Sequence, residues 1–337
     1  MINKGHMNNT AHPVDIESRF REPEGWRWHH FERNGRSLRF GSVSPKDHIP
    51  DAVIVCLQGV REFSEKYFEV AHWCLEHNLA FWMCDWAGQG KSSRFLTNPQ
   101  KRHSHGFDDD VEDLQYFILQ YIKHASVHPD KGRIPLAMLA HSMGAHIGLR
   151  HLDQYPGTFE CAALTAPMIG LKVFENTPPT IALAAASVCK LLCGSSYIPK
   201  GNDWSKRNDD ASLTSDPVRS KIHDLWCDAD AALRCGDVTY RWVCEAQRSC
   251  LKLKKAIEKK TIETPCLFGI PGQEHLVDNP LAQKVIGNIA HARVVHYPHS
   301  HHEVLMETDD IRNNFLDHFY DLIKETIIDR PETLKPF

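Results

Sequence analysis

IPLAMLAHSMGAHIGLRH, residues 134–151, changes character at its middle. Up to Ala140 it is an apolar run of strand length, and beyond Met143 it reads as a helix. The junction, Ala140-His141-Ser142-Met143-Gly144, pinches one hydroxyl between small residues. A buried strand that ends on a serine and turns at once into a helix leaves no room for bulk, which is why Ala140 and Gly144 suit the bend. The helix then aims its N-terminal amides and its dipole at Ser142, where they favour developing negative charge. Small-x-Ser-x-small between strand and helix is the geometry of a nucleophile elbow. The commonest elbow has glycine where this chain has Ala140, and alone the motif also fits an ordinary polar strand end.

Outward from this junction the chain alternates strand and helix. WRWHHFERNGRSLRFGSV predicts a hairpin around Asn34-Gly35. AVIVCLQG and LAFWMCDWAGQG read as buried strands ending in glycines, with a helix near 64–77 between them. Phe107, Val111, Leu114, Ile118 and Ile122 share one helical face, with acids early in that helix. CAALTAPM is a further strand. From about 170 to 260 no strand alternation is evident: the apolar TIALAAASVCKLLCG, a polar irregular stretch, then another helical run. After Pro265 the rhythm returns with CLFGIPG, LAQKVIGNIA, ARVVHYP and a last helix near 309–325. Such alternation predicts an α/β fold with a mostly parallel central sheet covered on both faces. The expected organisation is a loose tail over 1–22, a discontinuous core over 23–169 and 261–337, and an inserted helical cap over 170–260.

Composition narrows the function. The chain has 337 residues, 42% hydrophobic and 24% charged, enough for a sizeable core. A net charge of −4 and a pI near 6.6 show none of the basic excess of a nucleic-acid binder. No apolar run reaches spanning length and the polar N-terminus lacks a signal-peptide core. The 11 cysteines have no framework spacing, and Cys56, Cys84, Cys161 and Cys266 fall in apolar strands, which fits a reducing compartment. Cys189 and Cys193 have helical spacing but no partner pair for zinc. A cytoplasmic protein is expected, with no nucleic-acid partner.

In this architecture ligands bind at the carboxyl ends of the strands. Three polar segments follow strands there: CLQGVREFSEKYFE, GIPGQEHLVDN and YPHSHHEVLME. An acidic segment thus precedes a histidine segment, in the order Ser…Asp/Glu…His of an α/β-hydrolase triad. His296, His299, His301 and His302 could also suggest a metal, but no nearby carboxylate or cysteine pattern completes a ligand set. Gly90-Lys91-Ser92 looks like the end of a phosphate-binding loop, yet Asp85 stands where that motif needs glycine. A tight glycine turn is the better reading.

With LQGVREFSEKYFE, DWAGQGKSS, AHSMGAH, GQEHLVDN and HHEVLMETDDIR all present in order, the chain resembles the monoacylglycerol lipase and lysophospholipase branch of the α/β-hydrolase fold, especially its bacterial lysophospholipase-like members. The resemblance runs from about Trp26 to Glu325. It implies Ser142 as nucleophile and His302 as base, with His299 and His301 as rivals. It implies Glu274 as the acid, where the family usually has aspartate, with Asp278 as the alternative. Asp278 also fits a cap for the following helix. The backbone N–H groups of Val60 and Met143 correspond to the oxyanion hole, although the family's His-Gly is Gln58-Gly59 here. Glu62 matches a family glutamate near the entrance, or is a solvated loop charge.

Ser/His/acid chemistry implies acyl transfer to water with no cofactor. The resemblance favours a monoacyl lipid, lysophospholipid or monoacylglycerol. A short-chain carboxylesterase or a thioesterase is the alternative, and a non-catalytic ligand-binding homologue is a reading from another class. The apolar helix of the cap could line an acyl tunnel, touch the inner face of a membrane, or simply pack; its apolar positions run nearly all round, which suggests burial of more than one face. Oligomeric state is not legible.

Overall fold

Ala52–Leu57 (β3), Leu136–His141 (β5) and Cys161–Thr165 (β6) are buried at every position. Strands covered on both faces lose the alternation of a half-exposed sheet and become continuous apolar runs. Successive residues still point to opposite faces: Val53, Val55 and Leu57 enter one core layer, and Ala52, Ile54 and Cys56 the other. In the computed structural model, which describes residues 16–128, 132–206 and 213–330, these strands form the centre of an eight-stranded sheet. The others are Arg27–Arg33 (β1), Arg36–Val43 (β2), Leu79–Cys84 (β4), Cys266–Gln273 (β7) and Ala292–His301 (β8), and the order is β1-β2-β4-β3-β5-β6-β7-β8. β1 and β2 form the expected hairpin, with Asn34 and Gly35 both at positive φ, the conformation a two-residue turn of this kind requires. β2 meets β4 antiparallel and all pairs beyond are parallel.

The helices cover both faces. Phe68–Glu76 (α1) and Asp309–Ile323 (α8) pack on one; Phe107–Phe117 (α2) and Met143–Gln154 (α3) on the other. The predicted stripe of α2 is buried throughout, and its last two members lie on a π turn over Ile118–Ile122. Between β6 and β7 come Pro179–Cys193 (α4), Ile222–Ala229 (α5) and Tyr240–Glu258 (α6), and Asn279–Ile286 (α7) follows β7.

Three expectations need revision. The tail over 1–22 does not extend to its end: Ile16 and Phe20 are buried and Arg19 reaches Glu69 on α1, because two apolar side chains in a polar leader suffice to seat it on the core. Residues 1–15 lie outside the described residues. Within 170–260, α6 buries Trp242, Ala246, Cys250, Leu253 and Ile257 in the same layer as α2 and α3. It therefore packs as a helix of the sheet's covering layer, unlike α4 in the segment inserted between β6 and β7. Finally, α4 buries only Ala182 and Ala186, against α6, and leaves Ile181, Val188, Leu191 and Leu192 exposed. Its uniform apolarity does not correspond to burial on several faces.

The sharpest packing constraint lies at the start of α3. A Cβ built on Gly144 would sit 2.2 Å from the Leu57 carbonyl oxygen and 2.6 Å from that of Gln58. Both are backbone atoms of β3 and its loop, so they cannot swing aside. Gly144→Ala is expected to cost about 3 kcal/mol or more, measured by denaturant unfolding; stability close to wild type would show that β3 and α3 can separate.

Candidate active site

Ser142 sits between β5 and α3 at φ 52°, ψ −114°. This conformation is strained for a residue with a Cβ and persists only where the surroundings hold it. They do: Ser142 N–H donates to Thr165 O at 3.0 Å, and its carbonyl accepts from His146 N–H at 3.1 Å and Met168 N–H at 3.2 Å. The turn thus lifts the hydroxyl out of the sheet at the carboxyl end of β5, into a cavity of about 350 Å³.

The other two members arrive from β7 and β8. β8 pairs with β7 in parallel until the register breaks between Tyr297 and His301, and His302 follows directly. Its Nε2 lies 2.9 Å from Ser142 Oγ, and its Nδ1 2.6 Å from Glu274 Oε2. With Nδ1–H donating to the carboxylate, Nε2 is left with a lone pair facing the hydroxyl. Glu274 follows the end of β7, and its Oε1 accepts Leu276 N–H at 2.6 Å and Val277 N–H at 3.1 Å. The extra methylene relative to aspartate is taken up by this turn, which folds back on the carboxylate. Asp278 is elsewhere in its bonding: its Oδ1 accepts Leu281 N–H at 2.9 Å as the N-cap of α7. His296 and His299 are exposed, and His301 Nδ1 faces Glu307. Among the described residues no group of three or more His, Cys, Asp or Glu side chains converges as a metal set.

Burial and charge compete at this relay. Burial disfavours the imidazolium of His302, but the charge and hydrogen bond of Glu274, with Glu303 and Glu62 beyond, outweigh it and raise the pKa above that of an ordinary histidine. Burial disfavours the Glu274 carboxylate, yet His302 and the two backbone donors hold its pKa below the usual value. His141, edge-on to the His302 ring at 4.8 Å, is pushed down to about 3 by burial and stays neutral.

Val60 and Met143 flank the serine. Val60 lines the cavity, and Met143 is the first residue of α3. Gly59 N–H donates to Glu62 Oε2 at 2.5 Å and Arg61 N–H to Gln89 Oε1 at 3.0 Å. Among the described residues no acceptor meets the Val60 N–H between them. Glu62 is no solvated loop charge. It is buried, bonded to Gly59 N–H and the Tyr67 hydroxyl, and paired with Lys66 at 2.6 Å. Lys66 Nζ also reaches Glu303 Oε1 at 2.7 Å, which forms a buried row Glu62–Lys66–Glu303 under the cavity. Burial lowers the Lys66 pKa, but Glu303 and Glu62 overcome it and keep the ammonium charged. Lys66 and Glu303 escape a sequence reading because charges beside helical segments look like surface. The adjacency of Glu303 to His302 is the one available signal. From the inserted part, Leu213, Thr214, Arg219 and His223 complete the wall.

Comparison with known proteins gives the family and the fold. The model of a hydrolase family described as serine aminopeptidase S33 matches residues 48–309. A probable lysophospholipase L2 from Haemophilus influenzae is 28% identical over 265 residues, covering 78% of this chain and 81% of that protein. A soluble variant of monoglyceride lipase from Saccharomyces cerevisiae, solved with a substrate analogue, superposes with a TM-score of 0.65 at 19% identity, over 89% of this chain and 95% of that one. A thermostable carboxyl esterase from Bacillus coagulans gives 0.67 at 16% identity, over 90% and 99%. The chain belongs to the serine aminopeptidase S33 family of α/β-hydrolases, on the branch of the lysophospholipases and monoacylglycerol lipases, and is a serine ester hydrolase.

Proposed function

We propose that the chain cleaves the ester of a monoacyl lipid, lysophospholipid or monoacylglycerol, with Ser142 as nucleophile, His302 as base and Glu274 as the triad acid. The observation that carries this reading is the unbroken relay from Ser142 Oγ through the His302 ring to Glu274, open to the cavity. His302 Nε2 takes the hydroxyl proton as Ser142 Oγ attacks the ester carbonyl. The oxyanion forms against the N–H groups of Val60 and Met143, whose orientation is set before substrate arrives. The imidazolium, stabilised by Glu274, then protonates the leaving alcohol. Water then gives one proton to His302 as its oxygen attacks the acyl carbon; the bond to Ser142 Oγ breaks, His302 returns the proton to that oxygen, and the acid leaves. The lysophospholipase and monoglyceride lipase relatives favour a monoacyl substrate.

The inserted segment 170–239 serves as a cap in this reading. α4 presents Ile181, Val188, Leu191 and Leu192 on one face, with Leu191 at 85% and Leu192 at 78% exposure. No helix among the described residues is long and apolar enough to cross a membrane, so this face suits contact with a lipid surface from one side. A short-chain carboxylesterase is the second reading. It is favoured by the cavity, whose volume of about 350 Å³ lies near the lower end for ligand pockets.

Four measurements test these assignments. kcat/KM for aryl esters of rising acyl length, with Ser142→Ala as the inactive blank, is expected to climb by up to about fourfold per carbon while methylenes are buried. A maximum at acetate or butyrate selects the short-chain reading, and turnover by Ser142→Ala removes the nucleophile. Glu274→Gln is expected to lower kcat by roughly 10³–10⁴-fold, whereas Asp278→Asn, which keeps a competent N-cap, stays close to wild type; the reverse ranking moves the acid to Asp278. Because His302 must be neutral to accept the proton and its pKa is raised, the acidic limb of kcat/KM against pH should lie above the ordinary histidine range. Residual activity of Glu274→Gln should show that limb at lower pH. For the membrane contact, Leu191→Ser with Leu192→Ser removes two side chains worth about 1.5–3 kcal/mol each on burial. Co-sedimentation with phosphatidylcholine vesicles should fall at least about tenfold, with hydrolysis of a soluble ester unchanged; equal sedimentation discards this face.

A further inference from the structure

The donor pair at Ser142 depends on the shape of the 58–62 loop, and that shape is not intrinsic. Arg61 stands at φ 69°, a left-handed conformation unfavourable for arginine. The loop has no regular structure to hold it. Glu62 bonds Gly59 N–H from within the loop and Trp86 Nε1 donates to the Gln58 carbonyl at 3.0 Å, but the side chain that makes three of the loop's bonds comes from another loop. Gln89, fully buried, donates from Nε2 to the carbonyls of Gly59 and Glu62, both at 2.8 Å, and accepts at Oε1 from Arg61 N–H at 3.0 Å. Its own amide is oriented in turn by buried Arg102, whose Nε donates to the same Oε1 at 2.9 Å and whose Nη2 contacts Met143 Sδ at 3.6 Å. One primary amide therefore satisfies two carbonyls and one N–H around Val60, and the guanidinium behind it touches the residue that supplies the other donor.

We propose that Gln89 is a positioning residue for transition-state stabilisation: it sets the Val60 N–H toward the oxyanion and, with Arg102, couples that donor to Met143. A carboxamide is needed because the site calls for two donors and a doubly accepting oxygen in one plane. A carboxylate of the same shape has no donors and would repel the Gly59 and Glu62 carbonyls. The inference rests on Ser142 being the nucleophile and Val60 a donor. Gln89 touches neither substrate nor His302, so its loss should weaken binding of the tetrahedral state while leaving ground-state binding and the histidine titration alone.

The experiment compares wild type, Gln89→Glu and Gln89→Asn on one soluble aryl ester, with inhibition by a trifluoromethyl ketone carrying the same acyl chain. The expected result is a kcat lower by about 10- to 100-fold, up to the loss seen on deleting one oxyanion donor. KM should stay within about threefold, the ketone Ki should rise in parallel with the fall in kcat/KM, and the acidic limb should not move. Gln89→Asn, too short to span both carbonyls, keeps the test if the charged variant does not fold. Wild-type kcat in a folded variant overturns the proposal, as does a loss in kcat with an unchanged ketone Ki. Ser142→Ala separates the two claims. If it retains turnover, the nucleophile reading fails; if it is inactive while both Gln89 variants behave as wild type, only the role of Gln89 fails.

Discussion

Everything in the site hangs from the contact between Gly144 and the Leu57 carbonyl. α3 must start directly against the end of β3 for Ser142 to stand at positive φ with its hydroxyl raised, and only a residue without a side chain allows that approach. The same contact brings Met143, first in α3, alongside the loop that leaves β3 and carries Val60. A single steric constraint therefore sets both the pose of Ser142 and the spacing of the Val60 and Met143 backbone N–H groups. The strain of the serine is offset by hydrogen bonds to Thr165 and Met168 at the end of β6, so three adjacent parallel strands share in holding one residue.

A second tier lies beneath. Asp85 closes β4 and is fully buried; its Oδ1 accepts both the backbone N–H and the hydroxyl of Ser64, and its Oδ2 accepts from Lys91 N–H and the Arg39 guanidinium. Arg39 also grips Glu65 through two donors. Taking these charges out of water is costly, and the cost is met only because each one is paired and hydrogen-bonded. These bonds tie the 58–64 and 85–92 loops to each other and to β2. The glycine turn at Gly88 and Gly90, both at positive φ, folds tightly on Asp85: a Cβ on Gly90 would strike its carboxylate.

The scaffold was legible because its signals are local. Buried parallel strands write themselves as unbroken apolar runs, the hairpin as Asn-Gly, and the elbow as small residues around Ser142. Ser142, Glu274 and His302, picked out in that order along the chain, are brought together, with His302 within hydrogen-bond reach of the other two. Other features were not legible, since they depend on what a side chain meets after folding. Lys66 and Glu303 look like surface charges until the row they form with Glu62 is seen. Gln89 looks like a turn residue, and nothing local says that its amide serves the neighbouring loop. Ile16 and Phe20 were hidden inside a polar leader. The exposed face of α4 misled in the other direction, because periodicity cannot separate an apolar helix with neighbours on every side from one with a neighbour on one side only. α6 was grouped with the cap because a helix of the covering layer and one of an insertion share the same pattern.

The distance along the chain between the site's parts has a consequence for how the molecule is made. The Ser142–His302 hydrogen bond joins residues 160 positions apart, and β7 lies between β6 and β8 in the sheet. Long-range parallel pairing of this kind is slow, since the loop must close before any contact rewards it. A chain emerging from synthesis therefore passes through a stage with β1 to β6 available, the edge of β6 unpaired and Ser142 without its His302 partner. That intermediate presents an apolar strand edge prone to association. The Ser142–His302 bond and the cover over that edge arrive together, with β7 and β8.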